Sequence, residues 1–160
     1  MSDLRVFTDG SCIPKLGKAC AACVWPDGEY DDEAFFLDPR SPRTCNRAEF
    51  LAAVKAGEQA DGIDPERKQA LHIYTDSMLL VNTMTKWVPA WRRNSWLKAD
   101  GTPIKNLDLV QLLVDQSARR ATHFTHVKAH TNGEDFLSVW NDRADRCAQA
   151  AVRSDTGVLV

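Results

Sequence analysis

The chain has 160 residues, of which 44% are apolar, and a formal net charge of −2. That length sets one globular domain with a sizeable core and leaves no room for a second, while the charge excludes a uniformly basic nucleic-acid coat. No apolar run reaches bilayer length, and residues 1 to 20 hold no basic region followed by an apolar stretch, so a soluble, unexported, cytoplasmic protein with no membrane partner is expected.

Strands are predicted near residues 3 to 8, 19 to 25 and 33 to 37, separated by turn signals at 14 to 17 and 26 to 28. They form an antiparallel meander. Residues 46 to 60 (NRAEFLAAVKAGEQA) are rich in helix formers and offer Phe50, Leu51 and Val54 to a core. LHIYT at 71 to 75 reads as a fourth strand, followed directly by a helix across Met78, Leu79, Val81 and Met84. A helix over 106 to 119, a fifth strand over 122 to 127 and a C-terminal helix over about 139 to 152 complete the chain. The order βββαβ(αα)αβα implies an α/β fold with a mixed five-stranded sheet and helices on both faces. The five cysteines (Cys12, Cys20, Cys23, Cys45, Cys147) are odd in number and spread through these elements, which reads as reduced thiols. Cys20 and Cys23 lie three apart on a strand and so face opposite sides, which favours core packing over a zinc site.

Four carboxylates stand in distinct settings: Asp9 in FTDGS, Glu49 in NRAEF, Asp76 in YTDS and Asp145 in NDRADRCA. Asp9 and Asp76 follow short apolar runs, as carboxylates at the ends of buried strands do; Glu49 and Asp145 lie in helical patterns. Taken singly, each is equally a turn, a cap or a solvated helix position. Taken together they suit hard divalent cations, two of which can sit about 3.5 to 4 Å apart around a phosphate. Asp142, three residues before Asp145, can share its helix face, so the two compete for the fourth place. Glu134 and Asp135 read as loop surface.

Residues 86 to 105 carry five cations against the single acid Asp100, a local charge of +4 that leaves −6 for the remainder of the chain. Affinity for a polyanion must therefore come from this patch. Trp87, Trp91 and Trp96 interleave with the cations, offering flat faces for sugars or bases beside charges for phosphates. The alternative is that the tryptophans anchor a helix pair to the core and the charges are merely solvated. Asp27, Glu29, Asp31, Asp32 and Glu33 make an acidic hairpin expected to face away from substrate.

TDGSC, NRAEF, YTDS, WVPAWRRNSWLKADGTPIKN, HVKAH and NDRADRCA occur in an order and spacing that resembles the type 1 ribonuclease H family over nearly the whole chain. The resemblance implies the ribonuclease H fold and endonucleolytic cleavage of the RNA strand of RNA/DNA hybrids, leaving 5′-phosphate and 3′-hydroxyl ends. It implies two Mg²⁺ ions, with Mn²⁺ substituting, and a monomer whose partner is the hybrid duplex. Asp9, Glu49, Asp76 and Asp145, rather than Asp142, match the metal ligands, and His130 matches a mobile histidine that assists turnover. Cys12, Asn46 and Arg47 match substrate contacts. Lys86, Trp87, Trp91, Arg92, Arg93, Trp96, Lys98 and Lys105 match a basic handle that grips the hybrid.

The chain also departs from the family. It reads DGSCIPKLG where many members have DGSCxxNPG, and Cys45 stands where a second polar contact is common, so the reading of 2′-hydroxyls is rearranged. Residues 131 to 139 lack the glycine-rich form usual after the histidine. With a first strand starting near residue 4, no separate amino-terminal hybrid-binding domain is expected. A proofreading exonuclease of related fold needs an acid two residues after Asp9, where Ser11 stands. Two alternatives remain: a transposase or integrase-type nuclease, which would use three acids and no handle, and a non-catalytic binding module, which would show a degraded acid set.

Overall fold

Alternation along the first strand decides which side of the sheet each residue serves. In β1 (Leu4–Ile13), Leu4 and Val6 turn to one face and Phe7 to the other. The computed structural model describes residues 2–129, 131–154 and 158–159. β2 (Lys18–Val24) returns antiparallel to β1, paired from Phe7↔Val24 to Ile13↔Lys18. The reversal is a 3-10 turn (Pro14–Leu16) closed by Gly17, whose φ of +61° a residue with a side chain rarely adopts. β3 (Glu33–Phe36) extends the meander, while β4 (Leu71–Thr75) and β5 (Thr122–His126) add parallel strands on the other side of β1.

The five expected strands are present in one mixed sheet of order β5-β4-β1-β2-β3-β6. The sixth, β6 (Val158–Leu159), pairs parallel to β3 and was not anticipated, because two residues carry no periodicity. β1 is also longer than expected. Hairpin pairing carries it through the DGS motif, so Asp9 lies inside the strand opposite Ala22 rather than at its end.

Helices cover both faces. α1 (Cys45–Ile63) and α4 (Leu107–Arg119) pack on the face of Leu4, Val6, Ala21 and Cys23. α1 starts where it does because the Thr44 hydroxyl accepts the Arg47 N–H at 3.1 Å, satisfying a donor the helix itself cannot. α5 (Phe136–Ser154) lies on the opposite face, setting Ala144, Ala148 and Ala151 against Cys20, Ala22 and Val24. Small residues on both sides let helix and strand approach closely. Arg120, at the end of α4, is 3% exposed in its side chain and donates to Asp64 at 2.7 Å, to Asp61 at 3.2 Å and to three backbone carbonyls, tying α4 to the end of α1.

The predicted helix pair after β4 is one interrupted path. α2 (Met78–Asn82) passes into a π turn (Thr83–Trp87) and then α3 (Val88–Arg93). The Val88 N–H reaches back five residues to the Thr83 carbonyl, and Pro89 has no N–H with which to continue an ordinary ladder. Among the described residues, no helix is long and apolar enough to cross a membrane.

Cys20 and Cys23 face opposite sides as expected, each thiol donating to a helix carbonyl: Cys20 to Ala148 and Cys23 to Ala52. Burial raises both thiols, Cys20 to about 12. The reading of all five cysteines as reduced is corrected for one pair: Cys12 and Cys45 form a disulfide, their Cα atoms 5.1 Å apart. The longer β1 carries Cys12 to the start of α1, a proximity across 33 residues that an odd cysteine count cannot disclose. In the loop-entropy picture, closing a loop of that size stabilises the fold by about 3 to 4 kcal/mol. Reducing the bond, or replacing both residues by alanine, should lower the melting temperature by roughly 10 °C. Calorimetry with and without reductant checks this, and the double variant should be insensitive to reductant.

Candidate active site

Strand register brings the first two acids together. The parallel β1–β4 pairing ends at Thr8↔Thr75, so the next residues, Asp9 and Asp76, emerge side by side. Asp76 is fixed from behind because the Ser77 hydroxyl caps α2, accepting the Leu80 N–H at 3.1 Å. Glu49 arrives from the other direction. A Cβ on Gly10 would stand 2.7 Å from the Glu49 nitrogen and 2.8 Å from the Ala48 carbonyl carbon, so only glycine lets β1 pass α1 this closely. As a result, oxygens of Asp9, Glu49 and Asp76 all lie within 4.8 Å of one another. Asp9 is 3% exposed and Glu49 9%.

Asp145 stands outside that trio, on α5, near enough to act on the Asp9 carboxyl. Asp142 pairs with Arg146 at 2.8 Å. Two neighbours of the acids have no counterpart among the expected residues. Asn141, 3% exposed, directs Nδ2 to Asp76 at 3.5 Å, and Gln149 Nε2 lies 3.1 and 3.0 Å from the two Asp145 oxygens. Both sit four residues from Asp145, and that helical spacing is the signal that could have found them. Asn141 Oδ1 and Glu49 Oε2 are buried without a hydrogen-bond partner.

The remaining expected residues divide. Asn46, Trp87, Trp91, Lys98 and Lys105 line one cavity of about 210 Å³ between the start of α1 and the handle. Trp91 and Trp96 are partly buried against the main core, whereas Trp87 is exposed, so anchoring and presentation coexist in one segment. Asn94 shapes the turn by donating to the carbonyls of Leu97 and Lys98, with Ser95 and Trp96 at positive φ. Lys86, Arg92 and Arg93 are exposed on the handle. Arg47 is engaged with Asp108 at 3.0 and 2.6 Å, and Cys12 is tied to Cys45. Of the acidic hairpin, Asp27 pairs with Arg5 and Asp32 with Arg143. His130 lies outside the described residues.

Charge in this setting is costly. Burial, then the neighbouring Glu49 and Asp76 charges, raises the Asp9 carboxyl far above the ordinary carboxylate range. Glu49 is also raised, chiefly by burial. A carboxyl raised on folding keeps a proton that the unfolded chain has already lost, so stability falls as pH rises from about 4, the ordinary carboxylate value. In chelator, melting temperature should therefore decline from pH 5 to 9. Asp9→Asn should flatten that decline and gain at least about 1.4 kcal/mol at neutral pH, the worth of one pKa unit. A thermal series over pH for both proteins is the check.

Similar proteins share the sequence pattern and the fold. The family model described as RNase H matches residues 1–153. The ribonuclease H of Bordetella avium (strain 197N) is 34% identical over 151 residues, covering 94% of this chain and 91% of that one. The crystal structure of LC9-RNase H1, a type 1 RNase H with the type 2 active-site motif, is similar with a TM-score of 0.70 at 25% identity, over 98% of this chain and 75% of that chain. The foamy viral protease-reverse transcriptase in complex with an RNA/DNA hybrid shares the fold with a TM-score of 0.74 at 18% identity, over 93% of this chain and 20% of that chain. With a family match that spans β1 to β5 and both helices that carry acids, the chain belongs to the ribonuclease H family.

Proposed function

We propose that this chain hydrolyses the RNA strand of RNA/DNA hybrids endonucleolytically, leaving 5′-phosphate and 3′-hydroxyl ends, as a single-domain, cytoplasmic monomer with its handle at residues 86 to 105. The observation that carries the reading is the convergence of Asp9, Glu49 and Asp76 within 4.8 Å, with Asp145 beside Asp9. Crowded carboxylates out of water can ionise together only with a cation between them, and Glu49 Oε2 is buried with no other partner. An all-oxygen donor set suits Mg²⁺, and Mn²⁺ after it. Two such ions, when bound, polarise the scissile phosphate, activate water and stabilise the leaving oxygen.

The chain's own residues then do the positioning. Asp9, held in the sheet's central strand, and Glu49, held on a capped helix, form the rigid half of the site. Asp76 and Asp145 close it from the end of β4 and from α5. Lys98 and Lys105 offer phosphate contacts beside the indoles of Trp87 and Trp91, and Asn46 completes that cavity from α1. Lys86, Arg92 and Arg93 extend the cationic surface. Arg47 and Cys12 approach the hybrid from α1 and β1, Trp96 buttresses the handle, and His130 assists turnover.

Purified protein with Mg²⁺ and labelled RNA/DNA hybrid, duplex RNA or duplex DNA tests this, with reductant present and absent because the cytosol opens most disulfides. Cleavage is expected on the hybrid alone; cleavage of duplex DNA would favour a transposase-type nuclease. Asp9→Asn and Asp145→Asn should each lower kcat by about a thousandfold or more, while Asp142→Asn, which loses only an exposed ion pair, should stay within about twofold. The reverse ranking of the two aspartates would overturn the assignment of the fourth acid.

The handle makes a separate prediction. Replacing Lys86, Arg92 and Arg93 with alanine should reduce the slope of log affinity against log salt by about 0.9 for each phosphate that is no longer neutralised. KM should rise with kcat little changed, the opposite of the acid variants. Hybrid binding in Ca²⁺ across a salt series measures the slope, and identical slopes would make the segment structural.

A further inference from the structure

Asn141, Asp145 and Gln149 recur every four residues and so form one stripe along α5, turned toward the acids of the sheet. Within that stripe the two amides treat their carboxylates differently. Asn141 meets Asp76 through a single long contact of 3.5 Å and leaves its own Oδ1 buried without a partner. Gln149 places one nitrogen 3.1 and 3.0 Å from both oxygens of Asp145. A donor equidistant from both oxygens stands on the open side of the carboxylate, where a chelated cation would sit. The amide and a cation therefore cannot occupy that side together.

A second observation points the same way. Oxygens of Asp9, Glu49 and Asp76 already gather within 4.8 Å, whereas Asp145 remains outside the group. In Asn141 and Gln149 the helix has two neutral groups where a basic residue would have neutralised the acids permanently. An amide donates to a carboxylate without cancelling its charge, so the acid remains available to a cation at the cost of a hydrogen bond.

We propose that Gln149 is a positioning residue that holds Asp145 in reserve: it occupies the chelating side of this carboxylate in the metal-free protein and yields it when a divalent cation binds. The inference rests on the reading of Asp145 as a ligand. Three acids then form the standing part of the site, and the fourth is recruited in competition with an internal donor. Cation affinity at Asp145 is set below the value that the acids alone would produce, and Gln149 is the side chain that sets it.

The opposite role is equally definite. An amide that supports a ligand from behind raises metal affinity, and its loss typically weakens binding by about 10- to 100-fold. Competition predicts the reverse sign. Metal-free protein should be titrated with Mg²⁺ by calorimetry, and its melting temperature followed across a Mn²⁺ series, for wild type, Gln149→Leu, Gln149→Ala and Asp145→Asn. The cation-binding step that Asp145→Asn weakens should be tightened about three- to tenfold in both Gln149 variants, as expected for losing a charge-assisted hydrogen bond that water partly replaces. The Gln149 side-chain amide resonances should shift during a Mg²⁺ titration with the midpoint of that same step. Weaker binding in the Gln149 variants, or unchanged isotherms, would overturn the proposal. If Asp145→Asn leaves every step unchanged, the ligand reading fails and the proposal with it. If Asp145→Asn weakens a step that neither Gln149 variant tightens, the proposal alone fails.

Discussion

Like charges held together out of water impose the central constraint on this molecule. Asp9 and Glu49 are almost wholly buried, Asp76 lies against them, and the charge of Asp76 raises the cost of ionising both. A fold tolerates such an arrangement only if the surrounding structure holds the backbone so firmly that the acids cannot move apart. Three features do this. The β1–β4 register delivers Asp9 and Asp76 to adjacent ends, Gly10 permits β1 to pass under α1, and the caps at Thr44 and Ser77 start α1 and α2 at fixed points.

The rest of the architecture follows from keeping that framework stiff. β2 is built of alanine and cysteine so that α5 can lie close to the sheet, which brings Asp145 and Asn141 within reach of acids that belong to distant parts of the chain. Buried Arg120 ties the ends of α1 and α4 to each other, at the opposite end of α1 from Glu49. The Cys12–Cys45 bond then joins β1 to α1 three residues beyond Asp9 and four before Glu49. The resemblance makes Cys12 a substrate contact and puts Cys45 where a second polar contact is common, so here a covalent tie stands in a place of recognition. Recognition must rely more heavily on Asn46 and on the handle, whose cavity begins beside it.

Electrostatics is divided in space. Net charge is slightly negative, yet the handle concentrates cations and tryptophans, while Asp27 and Asp32 of the acidic hairpin are engaged with Arg5 and Arg143. The π turn before Pro89 redirects the helix path between α2 and α3, leaving Trp87 exposed while Trp91 and Trp96 stay on the core. Burial of two indoles holds the segment in place, and exposure of the third leaves a flat face available.

Local pattern was enough for much of this. Apolar alternation and helix-forming runs located the five principal strands and the helices, and the residues around Asp9, Glu49, Asp76 and Asp145 carried the resemblance to one family, because strand ends, caps and short motifs are written in adjacent residues. The CxxC pair could be placed on opposite faces by period alone. Pairings between distant segments could not be read this way. The extension of β1 to Ile13, the two-residue β6, the Cys12–Cys45 bond and the engagement of Arg47 by Asp108 all depend on where other parts of the chain pack. Periodicity records which face a residue occupies but not what that face meets. The acids were therefore legible as residues, whereas the trio within 4.8 Å, and Gln149 on the fourth, exist only once the sheet, α1 and α5 close around them.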